Sequence, residues 1–440
     1  MISVEELYAL YKKCSGITTD SRKIQDGVMF FALRGENFDG NDFALDALKA
    51  GARYAVVDRI LLRGTEYRGR KCIVVENVLE MFQQLAAYHR RQLDIPVIGI
   101  TGTNGKTTTK ELVAAVLSKK YEIVATQDNF NNHIGVPLTL FRLNERTEAA
   151  IVEMGASAPG EIAALTKIVQ PNCGLITTVG KAHLQGFGSF EGVKKAKGEL
   201  YDLLRQTGGT AFYNADNEVL CGMIAHRPGL RTRKYGVREQ GVRILPATAE
   251  DPFLRMEMTH EGAAVTISTR LVGAYNADNV MAALAVGDYF GVPFGRAVSA
   301  IADYVPSNSR SQLVKTAHNT LIIDAYNANP SSMRAALDNF AGTAFPGKVL
   351  MLGDMLELGA DAAAEHLAVV QQAVAVCDTV FLVGSTFAQA AAEAGAATGV
   401  RTFPDIDGLK DYITAHPLEN RTILIKGSNG NRMQRIVDAL

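Results

Sequence analysis

Short apolar runs alternate with amphipathic stretches along most of the chain. The run Pro96 to Ile100 leads into a glycine- and threonine-rich segment, and helical periodicity follows over Lys110 to Leu117. Further apolar runs at Ala149 to Met154 and Gly174 to Val179 are each followed by helical spacing, with a helix over Phe190 to Leu204. Such alternation predicts a mostly parallel sheet covered by helices, with ligand-binding loops at the C-terminal ends of the strands. Before it, short strands at Val28 to Leu33, Tyr54 to Val57 and Cys72 to Val75, and a helix over Val78 to Gln92, describe a smaller α/β unit. Period-two alternation between Arg243 and Leu271 predicts antiparallel strands appended to the central sheet, and a helix follows over Asn276 to Phe290. A Pro/Ser/Asn-rich break at Asp303 to Ser311 precedes strands at Leu321 to Asp324, Lys348 to Leu352, Thr379 to Val383 and Thr422 to Ile425. The fold expected is α/β with three domains: 1–93, a central parallel-sheet domain at 94–306, and a Rossmann-like open α/β domain at 307–440.

Composition narrows the class. The chain has 440 residues, enough for about two to four cores, with 47% hydrophobic residues and a net charge of −1. That balance offers no electrostatic footprint for nucleic acid. No run of about 18 apolar residues exists to span a bilayer. Met1 to Lys13 lacks an apolar signal core, and the five scattered cysteines suggest neither a disulfide framework nor a zinc site. A reducing cytoplasm is the expected compartment.

The segment Gly102-Thr103-Asn104-Gly105-Lys106-Thr107-Thr108-Thr109 lies between predicted strand and predicted helix. In that context glycines let backbone N–H groups converge, the helix N-terminus adds positive dipole, a lysine meets phosphate and a threonine hydroxyl can hold Mg²⁺. The spacing departs from G-x-x-x-x-G-K-[ST], whose first glycine would fall on Ile100. Either Gly99 is displaced by one or the loop is a compressed G-x-x-G-K-T. This points away from switch GTPases, as does the lack of an Asn-Lys-x-Asp motif.

Other chemistry sits just past the strands. Glu153 ends an apolar strand, where a carboxylate is costly unless paired or metal-bound. His183 follows another strand; a lone histidine is usually a surface or satisfied core residue, but its place beside the phosphate loop makes it a candidate ligand or catalyst. On the helix ending at Leu204, Val193, Ala196, Leu200 and Leu204 form an apolar stripe and Lys197 falls inside it, whereas Lys194 and Lys195 fall outside. An inward ammonium must meet an anion, stay neutral, be modified, or snorkel along the helix. Asn276 reads as an N-cap, and Asn329 before Pro330 as a cap and first helical residue.

Together these segments, with Asn129-Phe130-Asn131-Asn132-His133-Ile134-Gly135-Val136-Pro137, Glu153-Met154-Gly155, His183 to Ser189, Ala196-Lys197-Gly198-Glu199 and Asp324-Ala325-Tyr326-Asn327-Ala328-Asn329-Pro330, resemble the ATP-dependent Mur ligases of peptidoglycan synthesis over nearly the whole chain. The resemblance implies a cytoplasmic bacterial enzyme, monomeric, that joins D-alanyl-D-alanine to UDP-N-acetylmuramoyl-tripeptide with ATP and two Mg²⁺ ions, through an acyl phosphate. It implies that Ser21, Arg22 and the loop Arg34 to Gly40 hold the UDP part, and that Thr107 and Glu153 approach the ATP-bound metal. His183 and a Lys197 carbamylated by CO₂ would serve the second metal. Asn276 and Asn279 would face adenine, Asp324 the ribose and Arg310 the phosphates, while Asn131, Asn132, Tyr326, Asn327, Asn329 and Lys426 would line the substrate side. A sibling ligase adding a single amino acid, a folylpolyglutamate synthase and a nucleotide-dependent switch are the rival readings. No Asp-Asn-Pro-Arg segment of the diaminopimelate-adding kind is present.

Overall fold

In the computed structural model, which describes residues 2–59, 71–395 and 399–440, the hydrogen-bonded strands make four sheets. The first is parallel, with strands Ile17–Thr18, Met29–Phe31, Tyr54–Val57 and Cys72–Val74 in chain order. Its core of Leu7, Met29, Phe31, Phe82 and Leu85 is closed by the helix Val78–Arg91. That helix starts at Asn77, whose side chain accepts from Glu80 N at 3.0 Å, a cap that satisfies one orphan amide. Its other face sends Ala86 and Ala87 into the next core.

The central sheet is also wholly parallel. Its strands lie in the order Arg231–Tyr235, Thr210–Asn214, Cys173–Ile176, Val97–Thr101, Ala149–Glu153 and Ile123–Ala125. From Val97–Thr101 the chain builds first to one side and then to the other, so the order reverses there. In open α/β sheets a crevice forms at that reversal, outside the C-terminal ends of the strands. The glycine-rich loop leaves the sheet at this point.

The segment of period-two alternation does form antiparallel strands, Arg243–Leu245, Phe253–His260 and Ala263–Val272. They make a three-stranded sheet of their own and do not extend the central one. The reason lies in what they bury. Leu254, Met256, Ile267 and Leu271 pack with Val286, Ala297 and Ile301 of the helices Ala277–Tyr289 and Phe294–Asp303, so their apolar face is spent on helices.

The C-terminal sheet has six strands in the order Gln312–Lys315, Thr320–Asp324, Thr422–Lys426, Lys348–Gly353, Val380–Val383 and Val400–Phe403. Only the first pair is antiparallel. The last strand of the chain is inserted between earlier ones, in a register that sets Lys426 beside Asp324. Among the described residues no helix is long and apolar enough to cross a membrane.

Arg90 joins the first unit to the second. Its guanidinium is buried and donates to the carbonyls of Val169, Leu93, Ile95 and Gln170 and to Asn172 Oδ1, at 2.9 to 3.4 Å. Asn172 Oδ1 in turn accepts from Val97 N at 2.9 Å, at the start of the strand that feeds the loop. Arg90→Met keeps most of the apolar stem but strands these acceptors, and should cost about 3 kcal/mol, read as a lowered urea midpoint.

Candidate functional site

The loop after Val97–Thr101 is shaped by two glycines. Gly102 has φ +147° and lies so close to Thr177 that an added Cβ would sit 2.0 Å from its Oγ1. Gly105 has φ +80°, caps the helix Lys106–Leu117, and faces Asn279, whose Oδ1 an added Cβ would meet at 2.5 Å. Gly99 remains inside the strand. The loop is therefore the compressed variant. The neighbouring strand end steadies it: Asn104 N donates to Thr178 Oγ1 at 2.9 Å, Thr103 N to Thr178 O at 2.8 Å, and Thr177 Oγ1 to Asn104 O at 2.6 Å. Lys106 Nζ folds back onto Gly102 O at 2.9 Å and Thr103 O at 3.1 Å. Burial holds its pKa below the ordinary lysine value; Glu153 opposes that shift and Arg310 adds to it.

Glu153 is almost wholly buried at the end of its strand. Its carboxylate accepts from Thr107 Oγ1 and from Asn131 Nδ2, each at 2.9 Å, and its N–H donates to Thr126 Oγ1 at 3.0 Å. Two hard oxygen donors are thereby placed side by side, a set that suits Mg²⁺ completed by phosphate and water oxygens. Among the described residues no three His, Cys, Asp or Glu side chains converge on one point, so the protein alone offers no closed cage.

Lys197 lies on the helix Phe190–Thr207, whose N-cap Ser189 accepts from Gly192 N at 3.1 Å. Its side chain points inward with Val193, Ala196, Leu200 and Leu204, all buried, while Lys195 is exposed. Among the described residues Nζ reaches only Ala156 O, at 3.5 Å, and it stands 5.6 Å from the Phe187 ring. Burial, helped by the Lys106 charge, brings its pKa down to about 7. A neutral amine with no anionic partner in contact is the form that reacts with CO₂, so the residue fits carbamylation. His183 adopts a left-handed backbone, φ +50°, and its Nδ1 meets the Glu357 carboxylate. Burial lowers its pKa and Glu357 opposes the shift.

The C-terminal sheet and the linker before it close the site. Asn329 caps the helix Pro330–Gly342 in a reciprocal box with Ser332, at 3.0 Å each way. The same side chain donates to Asn104 Oδ1 of the phosphate loop at 2.7 Å, and Asn104 Nδ2 donates to Ser331 Oγ at 2.9 Å. The motif is thus helix-start chemistry and an inter-sheet contact at once. Asp324 and Lys426, adjacent in register, form an ion pair at 2.5 Å. Arg310 lies 3.6 Å over the Tyr326 ring, and its buried Nε has no hydrogen-bond partner among the described residues.

All this surrounds one cavity of about 840 Å³. Its walls include Gly102, Thr103, Asn104, Gly105, Lys106, Thr108, Asn131, Asn132, Glu153, His183, Lys197, Asn276, Asn279, Arg310, Asp324, Tyr326, Asn327, Asn329 and Lys426. Thr107 sits behind the wall, bonded to Glu153. Ser21 and Arg22 are not among the lining residues; Arg22 is at the surface, paired with Asp20 at 2.9 Å. Asn132 accepts from Ile134 N and Gly135 N at 3.1 and 2.9 Å and so starts the next helix. Asn276 stands at an N-cap position but makes no capping bond; its amide donates to Val272 O and Ser311 Oγ, and its Oδ1 accepts from Asn279. Sequence reasoning missed Thr178, Ser331 and Glu357. It also missed Glu365, which is buried and receives Lys181 at 2.9 Å and Arg334 at 2.5 Å. Glu365 follows a run of alanines that gives no periodic signal.

Comparison with known proteins agrees along the chain. Residues 13–90 match the family model described as Mur ligase family, catalytic domain; 100–287 the Mur ligase middle domain; and 309–429 the Mur ligase, glutamate ligase domain. The UDP-N-acetylmuramoyl-tripeptide--D-alanyl-D-alanine ligase of Escherichia coli is 35% identical over 96% of this chain and 93% of its own. The Bacillus subtilis protein of the same name is 38% identical over 78% of this chain and 74% of its own. Among solved structures, MurF from Acinetobacter baumannii superposes with a TM-score of 0.85 at 28% identity, covering 99% of this chain and 98% of that one. A folylpolyglutamate synthase of Mycobacterium tuberculosis complexed with ADP and AMPPCP shares the fold, at a TM-score of 0.63 and 17% identity, covering 82% of this chain and 94% of that one.

The depressed pKa of Lys197 has a measurable consequence. Its folded value is about 7 and its ordinary value 10.5, so between these limits the unfolded chain binds the extra proton. Stability therefore rises with pH through that window and is lowest below it. Lys197→Met removes this term. In CO₂-free buffer the mutant should exceed the wild type in urea midpoint by most near about pH 7, with the gap narrowing towards about pH 10; a gap constant with pH would contradict a buried neutral amine.

Proposed function

The chain belongs to the Mur ligase family, and from that premise we propose that it joins D-alanyl-D-alanine to UDP-N-acetylmuramoyl-tripeptide at the expense of ATP. The observation that carries this reading is the meeting, in one cavity, of the phosphate loop, Glu153 and Lys197 with Arg310 and Asn329 from the linker and the C-terminal sheet. A simple nucleotide switch needs no second sheet closed over its phosphates. The similarity to the E. coli and B. subtilis ligases over most of the chain supports the substrate pair. The fold-level likeness to folylpolyglutamate synthase does not extend to such identity.

We divide the labour among units 1–93, 94–306 and 307–440. In the first, Ser21 and Arg22, with the loop Arg34 to Gly40, take the UDP part; Asn131 and Asn132 lead from there towards the reacting carboxylate. The second holds ATP, with Asn276 and Asn279 walling the adenine side. The third brings Asp324 to the ribose and Tyr326, Asn327, Asn329 and Lys426 to the incoming dipeptide. The enzyme works as a monomer in the bacterial cytoplasm.

The chemistry begins with a charge problem. A carboxylate is a poor electrophile, so one of its oxygens first takes the γ-phosphoryl group of ATP, and ADP departs. The approach of two anions is eased by Lys106, released from its own loop carbonyls, and by Arg310, which lines the same cavity. Thr107 and Glu153 are the residues to hold one Mg²⁺, and His183 with carbamylated Lys197 a second; when bound, these ions neutralise phosphoryl oxygens. The amine of the dipeptide then bonds to the acyl carbon, and phosphate leaves with the oxygen it was given. The amine must lose protons along the way.

Phosphate release should require UDP-N-acetylmuramoyl-tripeptide and D-alanyl-D-alanine together. Release driven by D-alanine, L-alanine, D-glutamate or L-lysine with a shorter precursor would move the chain to a sibling step, and release needing neither would favour a switch. Lys106→Ala should lower kcat/KM about 10³-fold, as loss of one transition-state cation does, and weaken ATP binding. Lys197→Ala should abolish ligation while keeping most ATP affinity, and NMR with ¹³C-bicarbonate should show a carbamate resonance in the wild type that the mutant lacks.

A further inference from the structure

Arg310 is presented by an unusual piece of backbone. The residues on either side of it, Ser309 and Ser311, both have left-handed φ, +55° and +49°, a conformation that disfavours any residue with a Cβ. Two such residues in a row of three persist only where their surroundings hold them. Ser309 O accepts from Ala325 N at 3.0 Å, and Ser311 O from Val272 N at 3.1 Å. The Ser311 hydroxyl is buried, accepts from Asn276 Nδ2 at 3.0 Å and shares a hydrogen bond with Tyr275 OH at 3.2 Å.

The chain of contacts continues to the phosphate loop. Asn276 Oδ1 accepts from Asn279 Nδ2 at 3.0 Å, and Asn279 Oδ1 accepts from Thr109 Oγ1 at 3.0 Å. Thr109 lies on the helix that begins at Lys106, and Asn279 Oδ1 is the atom against which Gly105 packs. At the far end, Arg310 keeps a buried Nε without a partner. A strained linker, a cation aimed into the cavity, and a relay ending on the loop form one mechanical unit.

We propose that Ser311 is a positioning residue: held by Asn276 and Tyr275, it fixes the linker in the conformation that aims Arg310 at the nucleotide phosphates. Asn276 and Asn279 then serve as the link that registers this aim against the phosphate loop. The inference deepens the ligase reading and rests on it.

The test uses the full chain with ATP, Mg²⁺, UDP-N-acetylmuramoyl-tripeptide and D-alanyl-D-alanine, measuring kcat, the KM for each substrate and the melting temperature. Ser311→Gly removes the hydroxyl and accepts a left-handed φ without strain. It should melt within a few degrees of the wild type, relief of strain offsetting much of the lost hydrogen bonding, yet lose about tenfold to a hundredfold in kcat, the cost of a misaimed group, with KM for the UDP substrate unchanged. Ser311→Ala keeps the strain without the hydroxyl and should lose at least as much in kcat and also melt lower. In an Arg310→Ala background Ser311→Gly should change kcat less than about twofold, since it acts through the arginine. Full kcat in Ser311→Gly, or the same fold loss with and without Arg310, would overturn the proposal while leaving the ligase reading intact. An Arg310→Ala enzyme as fast as the wild type would remove the phosphate role of Arg310, and absence of turnover in the wild type would remove the ligase reading itself.

Discussion

Lysine and arginine side chains crowd one cavity, and the rest of the site is organised around that unfavourable fact. Arg310 raises the cost of the Lys106 charge, and Lys106 does the same to Lys197. Glu153 opposes the shift on both lysines, but it is already bonded to Thr107 and Asn131. Such an arrangement is eased because Lys106 turns back to loop carbonyls, burial brings the Lys197 pKa down to about 7 and Arg310 rests on the Tyr326 ring. Each of these is a poor substitute for an anion. A polyphosphate entering the cavity offers Lys106 and Arg310 the anion that neither contacts among the described residues, so the binding preference is written into the mutual repulsion of the groups that line it.

The C-terminal sheet is held to the central unit by neutral contacts beside the crowded cavity and by ion pairs away from it. Across the border the short amide contacts of Asn104 with Asn329 and Ser331 are neutral, and they carry no penalty when a nucleotide changes the local field. The ion pairs lie further out. Glu365 is buried and receives two cations that are each about half exposed, Lys181 from one side and Arg334 from its own. Surface pairs contribute little, but a buried carboxylate left with one partner loses much of its compensation. Lys181 therefore acts as a directional catch: its contribution appears only when the two sheets are together.

Much of this was legible in the sequence where local chemistry dictates structure. The alternation of apolar runs and helical periods located the parallel strands because a strand buried on both faces has to be apolar throughout. Lys197 stood out because a single charged residue inside an apolar stripe has few outcomes. Legibility failed where a contact is made by residues distant in the chain. The edge strand Arg231–Tyr235 carries Arg231, Thr232, Arg233 and Lys234, all exposed, and so shows no hydrophobic period. The alternating strands near Arg255 were readable as strands, yet their separation from the central sheet depended on helices placed afterwards. The serine linker read as a break and a boundary; its two left-handed residues are set by partners at Val272, Asn276 and Ala325, which no local pattern announces.

The choice between Gly99 and Gly102 makes the same point at the scale of one loop. Spacing alone left both open. In the folded chain Gly99 is a strand residue whose added Cβ would collide with Met154 Cε at 2.7 Å, so its smallness serves packing on the sheet face. Gly102 is the residue that lets the backbone turn out of the strand against Thr177, one position past the buried hydroxyl of Thr101. At the end of this short loop Lys106 folds back on Gly102 O and Thr103 O, while Asn104 turns outward to Asn329 and Ser331. The same short loop thus positions both the lysine of the cavity wall and the amide that meets the C-terminal sheet, so a compressed loop and a site shared between sheets are two aspects of one geometry.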